Sequence, residues 1–333
     1  MTTLSPSSPA RPPIPLTRRL RYYLEAGGFF LIVGFFRLFD IDRASAIGGW
    51  LGRNLVAPTG FSKLARENLR LAFPEKSAAE IDSVVRGMWD NLGRVLAEYA
   101  HLDKIHWKGA DPRIIVSGLQ NASVGDSPAA GRFFLSGHLA NWEVLPIAGR
   151  QVGLSGASVV RPANNPLVNR WLEKVRVRVG MPEIVSKGTD SLRRLFTLLR
   201  QGKDICLLAD QRASEGIPVP FFGHDALTTP MPAALALKLG SAIVPISNER
   251  TGGARFHIHV HPRIELPHTG DPRRDLIAVT AAINAFLEER VRAHPEQWLW
   301  IHRRWVSPEA PLRKRAQVLS SGGGATSATS SRV

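Results

Sequence analysis

The chain has 333 residues, 44% of them hydrophobic, one cysteine, and a formal charge of +15 from 43 Lys and Arg against 28 Asp and Glu. That length suits one large α/β domain with a helical appendage, and a single cysteine excludes an intramolecular disulfide. The basic balance favours anionic partners: phospholipid head groups, phosphorylated sugars, an acidic carrier protein or nucleic acid. Nucleic acid is not expected, because the basic residues are spread along the chain and no zinc-finger spacing or RNA-recognition sequence accompanies them.

Residues 1–20 are rich in Pro, Ser and Arg and read as disordered. Arg18, Arg19 and Arg21 then precede an apolar run from Ala26 to Phe36, interrupted by Arg37. Eleven residues are short of the roughly 20 a transmembrane helix needs. Extended from Tyr22 to Phe39 the segment reaches eighteen, with Glu25 and Arg37 near its ends. It is therefore expected to be a membrane anchor, spanning or interfacial, rather than a core helix. Ala44-Ser-Ala46 imitates a signal-peptide cleavage site, but Asp40, Asp42 and Arg43 crowd it, so secretion is rejected.

The pattern stays helical to about Lys108: Ala44 to Leu55, Phe61 to Phe73, and a helix entered through the capping-box signature Ser77-Ala-Ala-Glu80 and running towards Tyr99. From Ile114 short apolar runs alternate with amphipathic stretches. Strands are expected at Ile114–Ser117, Phe133–Ser136, Ala157–Val160, Ile205–Ala209, Ala242–Ser247 and Arg255–Pro262. Helices are expected at Trp142–Val152, Pro166–Val179, Asp190–Gln201, Pro230–Leu239 and Asp275–Ala293. Such alternation predicts an α/β fold with a central sheet flanked by helices. The chain divides into a disordered start (1–20), an anchor and helical region (21–110), a catalytic α/β domain (111–306) and a flexible Ser/Gly/Ala-rich tail (307–333).

The most informative stretch is Phe133-Phe-Leu-Ser-Gly-His-Leu-Ala-Asn-Trp-Glu143. His138 and Glu143 stand five positions apart, where a buried strand turns through Gly137 into a helix. A neutral imidazole can take a proton from a hydroxyl near neutral pH, and a carboxylate on its other nitrogen fixes the tautomer and stabilises the imidazolium. The carboxyl ends of strands are where open α/β sheets place their sites. The structural alternative is a loop histidine beside a solvated helix charge. A helical zinc motif fits poorly, since it needs its histidines four apart on one face.

Further segments match one family. Glu67-Asn-Leu-Arg-Leu-Ala-Phe-Pro74, Gly137-His-Leu-Ala-Asn-Trp-Glu143, Val160-Arg-Pro-Ala-Asn-Asn-Pro166, Asp210-Gln211, Val219-Pro-Phe-Phe-Gly223 and Pro295-Glu-Gln-Trp-Leu-Trp-Ile-His-Arg-Arg-Trp305 occur in order over roughly residues 20 to 306. The chain resembles the lipid A biosynthesis lauroyl/myristoyl acyltransferases of the lysophospholipid acyltransferase superfamily, whose hallmark is a histidine, four residues, then an acidic residue. The resemblance implies a glycerolphosphate acyltransferase-like mixed sheet. It also implies transfer of a fatty acyl group from an acyl carrier protein thioester, or acyl-CoA, to a lipid A precursor hydroxyl at the cytoplasmic face of the inner membrane. His138 would be general base and Glu143 its orienting partner, with no acyl-enzyme, cofactor or metal. No G-x-S-x-G elbow is present, and Cys206, in the apolar run Ile205-Cys-Leu-Leu208, is expected to be a buried core residue. The Asp-Gln pair is often followed in the family by an acidic residue, where this chain has Arg212, and an arginine often stands where Lys187 does. Both departures keep or add positive charge and leave the acceptor's identity open.

Candidate substrate residues follow the predicted strands or flank the motif: Asn141, Trp142, Arg161, Asn165, Asp210, Gln211 and Arg212. Guanidinium groups bind phosphate in a forked geometry, so Arg161 and Arg212 suit a glucosamine phosphate or phosphopantetheine, although Asp210 and an arginine could equally form a structural ion pair. Arg170, Arg176, Arg178 and Lys187 could form a basic rim or a solvated helix face. Phe221 and Phe222 could wall an acyl groove or be core. The carboxyl-terminal tryptophans and arginines could meet a membrane interface or pack under the sheet.

Two rivals remain. His257, His259 and His261 alternate on one strand face and suggest zinc, but successive same-face residues are about 7 Å apart and no water-activating acid is close in sequence. A non-enzymatic membrane-surface lipid-binding protein, with His138 and Glu143 as remnants, is the other. Within enzymes, the runner-up acceptor is a lysophospholipid or another glycolipid.

Overall fold

The computed structural model describes residues 15–122, 130–154, 156–180, 183–186 and 189–305. The predicted tail, most of the predicted disordered start and Lys187 lie outside these residues. The helical region comprises α1 (Leu16–Arg37), α2 (Ile41–Leu51), α3 (Lys63–Ala72) and α4 (Ala78–Glu98). α1 takes up residues 16–20 of the stretch expected to be disordered. α4 begins as its sequence dictates, with Ser77 and Glu80 satisfying each other's backbone N–H groups in a reciprocal capping box. α2 and α4 pack through glycine: a Cβ on Gly48 would come within 2.3 Å of the Gly93 carbonyl oxygen. This close approach locks α2 against α4.

The α/β part carries β1 (Ile114–Ser117), β2 (Phe133–Ser136), α5 (Val144–Gln151), β3 (Gly156–Val160), α6 (Pro166–Val179), β4 (Glu183–Ser186), α7 (Thr189–Arg200), β5 (Asp204–Leu208), β6 (Ile217–Phe221), β7 (His224–Thr228), α8 (Met231–Leu239), β8 (Ile243–Gly252), β9 (Arg255–Val260) and α9 (Pro272–Ala293). Seven strands form one sheet in the order β1-β9-β8-β2-β5-β3-β4, and β6 and β7 form a separate hairpin. The sheet is mixed: β8 and β9 are antiparallel, and every other neighbouring pair is parallel. The expected α/β class and each predicted strand and helix are present. β4 and the β6–β7 hairpin were not anticipated, because β4 is a four-residue edge strand and Pro218 and Pro220 argue against a strand in β6.

The two faces of the sheet differ. On one, Phe133, Leu135, Ile205, Leu207 and Ala157 join α3, α4, α7, α8 and α9 and a cluster of aromatic residues in the main core. On the other, Phe134, Ser136, Ser158 and Cys206 face α5 across a cavity. Period-two alternation along β2 sends neighbouring residues to opposite sides.

α1 leaves Leu16, Leu20, Tyr23, Leu24, Phe30, Leu31, Ile32 and Phe35 exposed while burying Ala26, Val33 and Phe36 against the rest of the molecule. Among the described residues no helix is long and apolar enough to cross a membrane.

Candidate active site

β2 and β5 are parallel neighbours in register, with Ser136 opposite Leu208, so two residues past each strand end His138 and Asp210 meet. His138 Nδ1 lies 2.8 Å from Asp210 Oδ1, and the His138 backbone N–H donates to Oδ2 at 2.7 Å. The Trp298 indole N–H donates to Oδ2 at 2.7 Å. A carboxylate on Nδ1 fixes the tautomer that leaves Nε2 as the free acceptor of neutral imidazole. Asp210 is completely buried. Burial alone would raise its carboxyl pKa, but the charge and hydrogen bonds of His138, with His302 nearby, outweigh that and hold it well below the usual carboxylate range. Asp210 is therefore a standing negative charge beneath the imidazole. Gly137 leaves room for it, since a Cβ there would lie 3.2 Å from Asp210 Oδ2 and from Leu287.

This corrects the expectation for Glu143. Its carboxylate is bound by Arg176 (Nε, 2.9 Å; Nη2, 2.5 Å) and by the Tyr99 hydroxyl at 2.6 Å, and the orienting carboxylate of His138 is Asp210 instead. The reason is local geometry. After His138 the chain turns through Ala140, held in the left-handed region at φ 48°, before α5 begins, and this directs Glu143 towards α6 and the helical layer. Burial depresses the Arg176 pKa, but Glu143 more than compensates and raises it above its ordinary value. The Tyr99 hydroxyl is pushed well above 10 by burial and then by Glu143.

The turn is pinned from several directions. Leu139 bridges Trp298, the Ala140 N–H donates to the Gln297 carbonyl, and Asn91 donates to the Ala140 carbonyl. Asn248 donates to the carbonyls of Leu139 and Asn141. Asn141, fully buried, donates to Glu98, which also receives Arg250 and Ser45, and its amide oxygen accepts the Glu143 N–H. Its role is to hold the turn, not to meet substrate.

His138 lies on the wall of a cavity of about 310 Å³. Deep apolar lining comes from Phe134, Ala148, Val152, Leu154, Ile258 and Val260. The polar end holds His138, Gln211 and the exposed Arg161, at the carboxyl ends of β2, β5 and β3, with Glu143 and Arg176 nearby. Trp142 meets the His138 ring edge-on at 5.1 Å, and Gln211 Nε2 lies 3.4 Å from His138 Nε2.

Of the other expected residues, Trp142, Arg161 and Gln211 join this site. Asn165 does not: it caps α6 by accepting from Leu167 and Val168 and donates to Tyr22 and Glu25 of α1. Arg170 and Arg212 are exposed and do not line the cavity. Phe221 and Phe222 are buried with Trp298, Trp300 and Trp305 on the opposite side of the sheet, so they do not wall the cavity. Cys206 is half-buried on the cavity wall, and burial pushes its thiol up to about 12. Ser117 bridges His257 and His259, Ser247 meets His261, and among the described residues no group of three or more His, Cys, Asp or Glu side chains is arranged to hold a metal. The sequence offers Arg176 only as a rim or solvated helix face and carries no signal for Tyr99. The signal for Trp298 was its place in the carboxyl-terminal motif.

The model of the bacterial lipid A biosynthesis acyltransferase family matches residues 15–307. The chain is 28% identical to the lipid A biosynthesis palmitoleoyltransferase of Escherichia coli over 253 residues, 73% of this chain and 78% of that one. It is 27% identical to the lipid A biosynthesis lauroyltransferase of the same organism, again over 73% and 78%. The phosphatidylinositol mannoside acyltransferase of Mycobacterium tuberculosis is 22% identical over 81% of this chain and 84% of that one. Among solved structures, the 1-acyl-sn-glycerophosphate acyltransferase PlsC of Thermotoga maritima aligns at TM-score 0.36 and 12% identity over 78% of this chain and 99% of that one, too distant a likeness to add weight. The family match spans both the helical layer and the sheet that carries His138, and the chain belongs to the bacterial lipid A biosynthesis acyltransferase family, as an acyltransferase acting on a lipid acceptor.

Proposed function

We propose that the protein moves a fatty acyl chain from a carrier thioester, acyl carrier protein or CoA, to a hydroxyl of a lipid A precursor, with the acyl chain lying in the cavity beside His138. The observation that carries the reading is the His138 imidazole, held on Nδ1 by buried Asp210, on the wall of an apolar cavity. His138 Nε2 takes the proton of the acceptor hydroxyl as its oxygen attacks the thioester carbonyl. The tetrahedral intermediate collapses with formation of the ester C–O bond and cleavage of C–S, and the imidazolium returns the proton to the departing thiolate. Asp210 stabilises the imidazolium throughout. The Gln211 amide and the Arg161 guanidinium stand at the same end of the cavity and suit the oxyanion or a phosphate of either substrate.

Transfer of labelled acyl groups from acyl carrier protein to a tetraacylated lipid A precursor is expected from the wild type and lost in His138→Ala. Product formed only on another glycolipid, the acceptor class in the name of the mycobacterial relative, would keep the mechanism and change the acceptor. Lipid binding that survives His138→Ala without transfer by either protein would favour a binding role.

The membrane reading rests on α1, whose exposed leucines and phenylalanines lie beside Arg18, Arg19 and Arg21. A helix with one apolar face and flanking cations lies in the interface of an anionic bilayer, here taken as the cytoplasmic face of the inner membrane. Flotation with anionic vesicles is expected to retain the wild type, and replacement of Leu20, Leu24 and Leu31 by Glu is expected to release it. Retention of that variant would remove α1 from the docking surface.

A further inference from the structure

The cavity is not uniformly apolar, and its polar wall is ordered. Along β2, Phe134, Ser136 and then His138 line it, while Phe133 and Leu135 turn to the opposite core. Register sets the neighbours: Ser136 lies opposite Leu208, and one row deeper Phe134 lies opposite Cys206, itself opposite Ser158. Cys206 and Ser158 stand opposite each other across β5 and β3, each with a polar neighbour. Ser136 has no such relief. It is 3% exposed, its side chain stands on the cavity face, and its Oγ has no hydrogen-bond partner.

A buried hydroxyl without a partner is costly, and a polar group on a bound ligand would relieve that deficit. The position of Ser136 says which part of the ligand that is. It precedes His138 by two residues, roughly 7 Å along an extended chain. A thioester carbonyl at His138 therefore places the first few carbons of its chain beside Ser136, while the rest runs on past Phe134 towards Leu154 and Val260.

We propose that this cavity selects an acyl donor hydroxylated close to its carbonyl, a 2- or 3-hydroxyacyl chain whose hydroxyl pairs with Ser136 Oγ. The inference rests on the reading of the cavity as the acyl site. The rest of the chain meets an apolar wall, which can read its length but not its hydroxylation. The hydroxyl supplies a directional contact that a saturated chain leaves unmade.

The test measures binding and turnover separately, so that failure of the inference and failure of acyl transfer are distinguishable. Dissociation constants of dodecanoate, 2-hydroxydodecanoate and 3-hydroxydodecanoate are measured on the full chain and on Ser136→Ala, and kcat/KM is measured for the matching carrier thioesters. At least one hydroxylated chain is expected to bind about tenfold more tightly than dodecanoate, the scale of one hydrogen bond, and Ser136→Ala is expected to bring that ratio close to one. The same ratios are expected in kcat/KM. Equal affinity for all three acids, or a preference for dodecanoate, would overturn the inference. So would an equal loss on every ligand in Ser136→Ala, because Ser136 would then serve the carbonyl that all of them share. If no thioester is turned over, the binding ratio still decides the inference, and the transfer reading alone fails.

Discussion

Two buried carboxylates near the carboxyl end of β2 behave differently: Glu143 comes from the turn into α5, and Asp210 from the end of β5. Asp210 faces an imidazole, whose other nitrogen can accept a proton, and His138 lies on the wall of the cavity with Asp210 buried behind it. Glu143 faces Arg176, which stays charged, and Tyr99, whose hydroxyl stays protonated. The first pair can move a proton, and the second is an electrostatic clamp between α5, α6 and the helical layer. A carboxylate's role is thus read from its partner's chemistry, not from its spacing to a histidine.

The comparison is tested most severely by exchanging each carboxylate for its amide. Asp210→Asn removes the charge under the imidazole and lets the amide favour the wrong tautomer. Transfer is expected to fall on the order of 10³-fold or more, with folding largely kept. Glu143→Gln leaves Arg176 near-buried without its counter-charge, so it is expected to cost about 3 kcal/mol of stability while the folded fraction keeps activity within about tenfold. Urea unfolding and single-turnover rates on the same preparations separate the two. A stable but inactive Glu143→Gln beside an active Asp210→Asn would reverse the assignment.

A smaller effect is expected at Trp298, whose indole N–H is one of the hydrogen bonds on Asp210. Trp298→Phe keeps most of the ring packing and removes a charge-assisted bond, so kcat is expected to fall about tenfold with KM little changed. Loss confined to stability would reduce Trp298 to core. The smallest effect lies away from the site. His261 is lowered to about 4 from 6.5 by burial, then by the charges of His259 and Arg290. The unfolded chain therefore binds the proton more tightly than the folded one. Its contribution is complete above pH 6.5 and is lost as pH falls from there towards 4. Melting curves over this window are expected to flatten in His261→Phe, and an unchanged slope would mean that His261 does not set the acid limb.

Much of the fold was legible because local signals agreed. Ser77 and Glu80 announce the start of α4, Pro166 to Val179 read as α6 to the residue, and the short apolar runs at Ile114, Phe133 and Ile205 became strands. β6 escaped because its prolines look like strand breakers, and they are tolerated there in a separate two-stranded hairpin. His138, Arg161 and Gln211 follow strand ends as their sequence context suggests, and Trp142 stands just before α5. Asn165 and the Phe221–Phe222 pair were misjudged, since capping and aromatic packing use the same residue types as binding.

The sequence by itself determined the α/β class, the position of His138 after a buried strand, and the family through motifs spread along nearly the whole folded chain. Only the tertiary structure decided which carboxylate serves the imidazole. His138 and Asp210 are 72 residues apart, and it is the parallel register of β2 and β5 that makes them neighbours. Strand pairing is a long-range choice set by the packing of the whole sheet, whereas spacing along the chain constrains only what lies within a turn or two.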